Sequence, residues 1–126
     1  MKTGFLFPGQ GSQFVGMGKE LYESDEDARK IYDKVKEITK IDIAKISFEG
    51  PEEVLNQTKY TQLAILTNSL AKLKVLEKQG VKAEVSAGLS LGEYTALIYS
   101  KAISFEDGVK IVQKRGELMQ DLAPKG

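Results

Sequence analysis

The fold of this chain is decided by residues 84–94, which read EVSAGLSLGEY. This stretch contains the pattern G-x-S-x-G at Gly88, Ser90 and Gly92, between a short apolar run and a helical one. Two glycines at this spacing let a strand turn sharply into a helix, because neither carries a Cβ atom. The turn lifts the serine hydroxyl out of the sheet and aims the first N–H groups of the helix towards it. We therefore predict a nucleophile elbow with Ser90 at its tip and the N–H of Leu91 as an oxyanion donor. The alternative is an ordinary strand-to-helix turn with a capping serine.

The apolar residues on both sides of this turn recur mostly at helical spacing. They predict helices over 25–40, 58–79 and 104–122, with a shorter helix after Ser90. Ser24 or Asp25 can cap the first helix, and Gly80 can end the second. Only residues 3–7 and 84–87 have the composition of strands. Turn residues predict breaks in the chain at 8–18, 49–51, 79–80, 88–92 and 123–126.

This order of elements indicates an α/β fold. Helices that alternate with short apolar strands imply a parallel sheet with helices on both faces. Two strands are too few for such a sheet to be stable. We therefore expect residues 1–126 to be part of a larger α/β domain whose other strands lie elsewhere. The alternative is a self-contained helical domain with a small two-stranded insert.

The composition excludes several classes of function. The 126 residues include 18 basic and 18 acidic ones, so there is no charge excess of the kind that binds nucleic acid or an anionic membrane surface. The chain has no Cys and no His, which leaves carboxylates as its only common metal ligands. The first residues form too short an apolar run for a signal peptide or a membrane span. We expect a cytoplasmic protein with no metal, no nucleic acid and no membrane partner.

A second glycine-rich stretch, residues 7–18 (FPGQGSQFVGMG), follows the first predicted strand. It does not fit a dinucleotide fingerprint, because Phe14 stands where Gly or Ala is needed. It does not fit a mononucleotide loop either, because Met17 stands where Lys is needed. What remains is a tight loop of backbone amides and glutamines, which suits an oxyanion better than a polyphosphate. A plain connecting loop is the alternative.

Four segments, in this order along the chain, resemble the malonyl-CoA:acyl carrier protein transacylases and related acyltransferase domains. They are residues 5–13 (FLFPGQGSQ), 61–64 (TQLA), 88–94 (GLSLGEY) and 115–120 (RGELMQ). The resemblance implies an α/β-hydrolase-like large domain that is interrupted by a small ferredoxin-like domain. It makes residues 1–126 the N-terminal segment of that large domain, with a short parallel sheet and flanking helices. The small domain and the C-terminal part would be absent.

The resemblance also implies roles for four residues. Ser90 would take the malonyl group from coenzyme A as an ester and pass it to the phosphopantetheine thiol of acyl carrier protein, in fatty acid biosynthesis. Gln10 and Leu91 would donate their backbone N–H groups to the oxyanion. Arg115 would bind the free malonyl carboxylate through a bidentate pair that Lys cannot form. No bound cofactor is implied. For Arg115 alone, without the family, a solvated side chain at the border of its helix's apolar stripe is the alternative.

The absence of histidine is the largest departure from the family, in which a histidine far downstream activates the serine. Leu89 and Leu63 stand where relatives often have His and Pro, but neither position holds the base. Loss of the base from a Ser-His pair costs on the order of a millionfold in rate. We expect the isolated chain to be inactive, and a complementary C-terminal polypeptide to supply the histidine, the missing strands and the small domain. A serine hydrolase or thioesterase, and a non-catalytic fragment that binds carrier protein or has no function, remain alternatives.

Overall fold

A computed structural model describes residues 2–123. In chain order its elements are β1 (Gly4–Phe7), α1 (Lys19–Ser24), α2 (Glu26–Thr39), α3 (Ile43–Glu49), α4 (Glu52–Leu55), α5 (Thr58–Lys78), β2 (Val85–Gly88), α6 (Leu91–Tyr99) and α7 (Phe105–Leu122). The predicted strands and helices are confirmed, with ends that differ by one residue. Most of the predicted break at 123–126 lies outside the described residues.

The structure also contains three short helices that were not predicted from the sequence. α1, α3 and α4 have 6, 7 and 4 residues. One or two turns present too few apolar positions for a helical period to stand out. The local signal for α3 was Asp42, whose side chain accepts a hydrogen bond from the N–H of Lys45 at 3.2 Å.

The expected capping residues Asp25 and Gly80 lie at the start of α2 and the end of α5, and Ser104 is a further cap at the start of α7. Asp25 caps α2 by accepting from the N–H of Ala28 at 2.9 Å, and Ser104 caps α7 in the same way. α5 ends in a Schellman motif around Gly80, whose φ of 81° is in the left-handed region. There the N–H of Val81 donates to Leu76 and the N–H of Gly80 donates to Glu77, both at 3.0 Å.

The helices α2, α5, α6 and α7 enclose the hydrophobic core. α5 lies in the middle of them and buries residues around its whole circumference. The largest fully buried apolar side chains of the core are Tyr32, Ile43, Leu55, Leu63, Leu66 and Leu91.

The two strands pair in parallel, with Gly4 opposite Val85 and Phe7 opposite Gly88. A parallel pair needs a crossover connection, and here α1 to α5 supply it. The strands are therefore no local insert, and the predicted α/β class is confirmed. Phe5 and Phe7 pack against Tyr99 of α6, with ring centroids 5.2 and 6.3 Å away. The opposite face of the sheet is bare, because Leu6 is 85% exposed and Val85 is 66% exposed.

None of the helices described between residues 2 and 123 is long and apolar enough to cross a bilayer.

Candidate active site

The sharp turn predicted after β2 is present, with Ser90 at its tip. Ser90 has φ 53° and ψ −105°, a backbone conformation that non-glycine residues rarely adopt. Such a residue costs about 1 to 3 kcal/mol and persists only where the surrounding structure holds it. Three backbone hydrogen bonds hold this turn: Leu89 donates to Phe7 at 3.2 Å, Gly92 to Leu89 at 2.9 Å and Glu93 to Ser90 at 3.1 Å. The turn leaves Ser90 exposed at the end of the strand pair.

Both glycines of the G-x-S-x-G pattern are needed for close approach of the backbone. A Cβ atom on Gly88 would overlap the backbone of Gly92, and one on Gly92 would overlap the carbonyl group of Phe7. The loop that follows β1 also lies against the turn, because a Cβ atom on Gly9 would come within 3.7 Å of the Ser90 Cβ atom. The first glycine-rich loop and the elbow are therefore neighbours, as an oxyanion site made from both would require.

Arg115 of α7 reaches Ser90 directly. Its Nη2 atom donates a hydrogen bond to the Ser90 Oγ atom at 2.9 Å. The guanidinium carbon lies 5.2 Å from the centre of the Tyr94 ring, which gives a cation–π contact. The side chain is half-buried. In the structure, Arg115 is therefore held beside the serine and is not a freely solvated side chain.

Gln62 connects Arg115 to the first glycine-rich loop. Its Oε1 atom accepts a hydrogen bond from Arg115 Nη1, and its Nε2 atom donates to Gln10 Oε1 at 3.1 Å. Gln10 Nε2 then donates to Thr58 Oγ1 at 3.4 Å. Neither Gln62 nor Tyr94 was predicted as a site residue from the sequence. One feature of the sequence could have indicated Gln62, because it is a polar amide within an otherwise largely apolar segment that α5 buries.

The four residues predicted from the sequence lie at one end of the sheet. Ser90 ends the β2 turn, Leu91 begins α6, Gln10 follows β1, and Arg115 reaches in from α7. The N–H groups in the first turn of a helix have no acceptor within that helix, so the N–H of Leu91 is suited to an anion. Among residues 2–123, no cluster of three or more acidic side chains is placed to hold a metal ion.

The parallel strand pair, the elbow and the serine at its tip define the class of an α/β protein built around a nucleophile elbow. A sequence profile of the family described as acyl transferase domain matches residues 4–126. The chain therefore belongs to the acyl transferase domain family.

Particular members of this family are similar along the whole chain. The malonyl CoA-acyl carrier protein transacylase of Bacillus subtilis (strain 168) is 46% identical over 125 residues, which are 99% of this chain and 39% of the relative. The crystal structure of the enzyme of that name from Clostridium perfringens is 51% identical, with a TM-score of 0.94 over all of this chain and 40% of the other. A malonyl-transacylase solved in complex with a type II PKS acyl-carrier protein is 35% identical, also with a TM-score of 0.94, over all of this chain and 41% of the other.

The chain thus spans about 40% of the length of these relatives. It matches the N-terminal part of the malonyltransferase fold, and this confirms the predicted fold class. The predicted small domain and C-terminal part concern polypeptide outside this chain and stay predictions.

Proposed function

We propose that the complete enzyme containing this chain transfers a malonyl group from malonyl-CoA to the phosphopantetheine thiol of acyl carrier protein, in fatty acid biosynthesis. The names of the relatives support the substrate and the acceptor. The observation that carries the proposal is the hydrogen bond of 2.9 Å between Arg115 Nη2 and Ser90 Oγ. It puts a permanent planar cation beside the hydroxyl that would carry the acyl group.

In the first half-reaction, Ser90 Oγ attacks the thioester carbonyl carbon of malonyl-CoA and loses its proton to a base. The tetrahedral intermediate then expels the coenzyme A sulfur, which takes the proton, and a malonyl ester remains on Ser90. In the second half-reaction, the carrier-protein thiol attacks this ester and gives its proton, through the same base, to Ser90. The backbone N–H groups of Gln10 and Leu91 would stabilise the oxyanion of each intermediate.

Arg115 would recognise the malonyl carboxylate. In a malonyl ester, only the carbonyl carbon and one methylene separate the serine oxygen from this carboxylate. The guanidinium of Arg115 lies within hydrogen-bond distance of Ser90 Oγ and can therefore reach this carboxylate. Two N–H groups of the guanidinium can then donate to the two carboxylate oxygens. An acetyl group offers no anion for the same cation. Arg115 thus favours malonyl transfer over a general thioesterase with water as the acceptor, which is the alternative use of this elbow.

The base would come from polypeptide outside residues 1–126, since the chain contains no histidine. The bare sheet face supports such a partner, because parallel sheets are normally covered on both faces. Leu6, Val85 and Leu89 expose 85%, 66% and 75% of their surface there or at the adjoining turn. A pocket of about 360 Å³ also separates β1 from α5 and is lined largely by apolar residues, among them Leu6, Phe14 and Leu76. We propose that the C-terminal part of the same enzyme covers these surfaces and carries the histidine.

The remaining partners follow from the reaction. Malonyl-CoA and acyl carrier protein would be substrates, and phosphopantetheine would arrive on the carrier, so we propose no resident cofactor. One of the similar malonyl-transacylases has been solved with an acyl-carrier protein bound, which supports a carrier as partner. A cytoplasmic location stays a prediction.

The test uses residues 1–126 fused to the part of the C. perfringens relative that they do not cover, here called the joined enzyme. We expect it to move malonyl from malonyl-CoA to acyl carrier protein, as measured by the intact mass of the carrier. Ser90→Ala should abolish transfer, and Arg115→Ala should impair malonyl transfer selectively over acetyl transfer. Release of free malonate without any malonyl-carrier would instead indicate a hydrolase. A folded joined enzyme that does neither would contradict the proposal.

A further inference from the structure

Gln62 is a buried amide that joins the two sides of the candidate site. Its side chain is 0% exposed and hydrogen-bonds to Arg115 on one side and to Gln10 on the other. We propose that Gln62 is a positioning residue that fixes the Arg115 guanidinium relative to the Gln10 loop, so that recognition of the acyl carboxylate is coupled to the oxyanion site. This inference rests on the proposed malonyl transfer and adds to it a residue that does not touch the reacting atoms.

The direction of the hydrogen-bonded chain is set by Arg115. A guanidinium can only donate, so Gln62 must turn its oxygen to Arg115 and its NH₂ group to Gln10. Gln10 must then accept with its oxygen and donate with its own NH₂ group, as it does to Thr58 Oγ1. The orientation of both amides therefore follows from one cation, and a change at Arg115 is transmitted to the Gln10 loop.

The same series of hydrogen bonds holds the guanidinium in place. Gln62 accepts from one of the two N–H groups of Nη1, the Tyr94 ring lies 5.2 Å from the guanidinium carbon, and Nη2 faces Ser90. If Arg115 rotated towards solvent, Gln62 Oε1 would be left buried without this partner, which is costly. A long, flexible side chain is thus ordered before substrate arrives, and this lowers the entropy lost on binding.

Close packing of two helices brings Arg115 onto Gln62. A Cβ atom on Gly116 would lie 3.0 Å from Lys59 Cα and 3.4 Å from Gln62 Cβ, so α7 lies tightly against the first turns of α5. The N–H of Lys59 also donates to Gln120 Oε1 at 3.0 Å. These contacts at Gly116 and Gln120, which both follow Arg115 along α7, therefore fix where its side chain meets Gln62.

The test measures the ratio of kcat/KM for malonyl-CoA to that for acetyl-CoA in the joined enzyme. Gln62→Met keeps the size of the side chain but removes both hydrogen bonds. We expect the ratio to fall about tenfold to a hundredfold, the scale of a lost hydrogen bond to a charged group. The matched control is Leu63→Met, a neighbouring buried position with an apolar side chain, for which the ratio should not change.

A second pair of variants separates the two sides of Gln62. Gln10→Met removes the contact with Gln62 but leaves Arg115 on it, so we expect both donors to react more slowly and the ratio to fall less than in Gln62→Met. Gln62→Glu places a carboxylate against Arg115 where it competes with malonate, so the ratio should fall even if Gln62→Met does not fold. Equal losses for both donors in Gln62→Met, or an unchanged ratio in Gln62→Met or Gln62→Glu, would overturn the inference. Failure of the unsubstituted joined enzyme would instead count against the proposed function.

Discussion

The helical cluster and the strand pair of this chain differ in how completely they are covered. α5 is enclosed by α2, α3, α6 and α7, and Leu66 at its centre is 0% exposed. β1 and β2 are covered by α6 on one face only, and Leu6 on the other face is 85% exposed. The candidate site lies where the two regions meet, with Arg115 and Gln62 on the helical side and Ser90 on the strand side. The half of the candidate site that would bind the carboxylate therefore rests on a fully packed core, while the half that would need a base lies beside an uncovered sheet face.

The largest effect on stability is expected in the helical core. Leu66→Ala removes a fully buried side chain at the centre of α5 and leaves a cavity, so we expect the free energy of unfolding to fall by about 2 to 5 kcal/mol. Urea unfolding of the 126-residue chain measures it. The control, Leu76→Ala near the end of the same helix, is already 36% exposed and should cost clearly less. Equal costs at the two positions would contradict a core centred on α5.

A smaller effect is expected at the elbow. Gly92→Ala would place a Cβ atom on the carbonyl group of Phe7, so β1 must move, at a cost of about 1 to 3 kcal/mol. Because this movement separates the two glycine-rich loops, acylation of Ser90 in the joined enzyme should be lost as well. Glu93→Ala, the next position in α6 and exposed, is the control for helix content. Normal acylation by a stably folded Gly92→Ala enzyme would show that the close approach of the two loops is not needed.

A substitution on the bare sheet face should have different effects on the stability of the 126-residue chain and of the joined enzyme. Leu6→Ser should change the stability of the 126-residue chain by less than about 0.5 kcal/mol, because Leu6 is already 85% exposed. In the joined enzyme the same substitution should cost about 1.5 to 3 kcal/mol, because the side chain would be buried there. Urea unfolding of both proteins compares the two costs. Equal small costs would mean that the added polypeptide leaves this face uncovered.

The smallest effect is expected at an ion pair on the helical side. The pKa of Asp25 is lowered, first by a hydrogen bond of 2.7 Å from Lys78 and then by one from the N–H of Ala28. The pKa of Lys78 is raised by its hydrogen bonds to Asp25 and Asp27. The lowered pKa of Asp25 stabilises the fold at pH values above the ordinary aspartate pKa of 3.8. This stabilisation is lost as pH falls through the pKa of Asp25 in the folded state. The raised pKa of Lys78 stabilises the fold at pH values below the ordinary lysine pKa of 10.5. This stabilisation is lost as pH rises through the pKa of Lys78 in the folded state.

We therefore expect Lys78→Ala to lower Tm slightly near neutral pH, and to lower it less at a pH below the ordinary aspartate pKa of 3.8. Lys78 is exposed and its two carboxylate partners are half-buried, so high salt should shrink the difference further. Thermal melts at neutral and acidic pH, with and without salt, measure it. The control is Lys74→Ala, whose contact with Glu77 is 3.9 Å long. A Tm difference that grows on acidification would contradict the assignment.

The sequence was sufficient for features that depend on neighbouring residues. The cap at Asp25, the end of α5 at Gly80 and the turn around Ser90 each follow from residues within a few positions of one another. The resemblance to the family then placed Arg115 at the site. Gln62 and Tyr94 could not be predicted in the same way, because their roles depend on α5, α6 and α7 meeting in space. A buried glutamine shows only that some partner exists, and the fold was needed to show that the partners are Arg115 and Gln10.

The most direct test of the account compares Ser90 acylation in the 126-residue chain and in the joined enzyme. Each is mixed with malonyl-CoA, quenched over a time course and analysed by intact mass and peptide mapping. We expect rapid malonylation of Ser90 in the joined enzyme and none on that time scale in the isolated chain, because no base reaches the hydroxyl there. Equally fast malonylation of Ser90 in the isolated chain, or a label in the joined enzyme on any other residue, would contradict it.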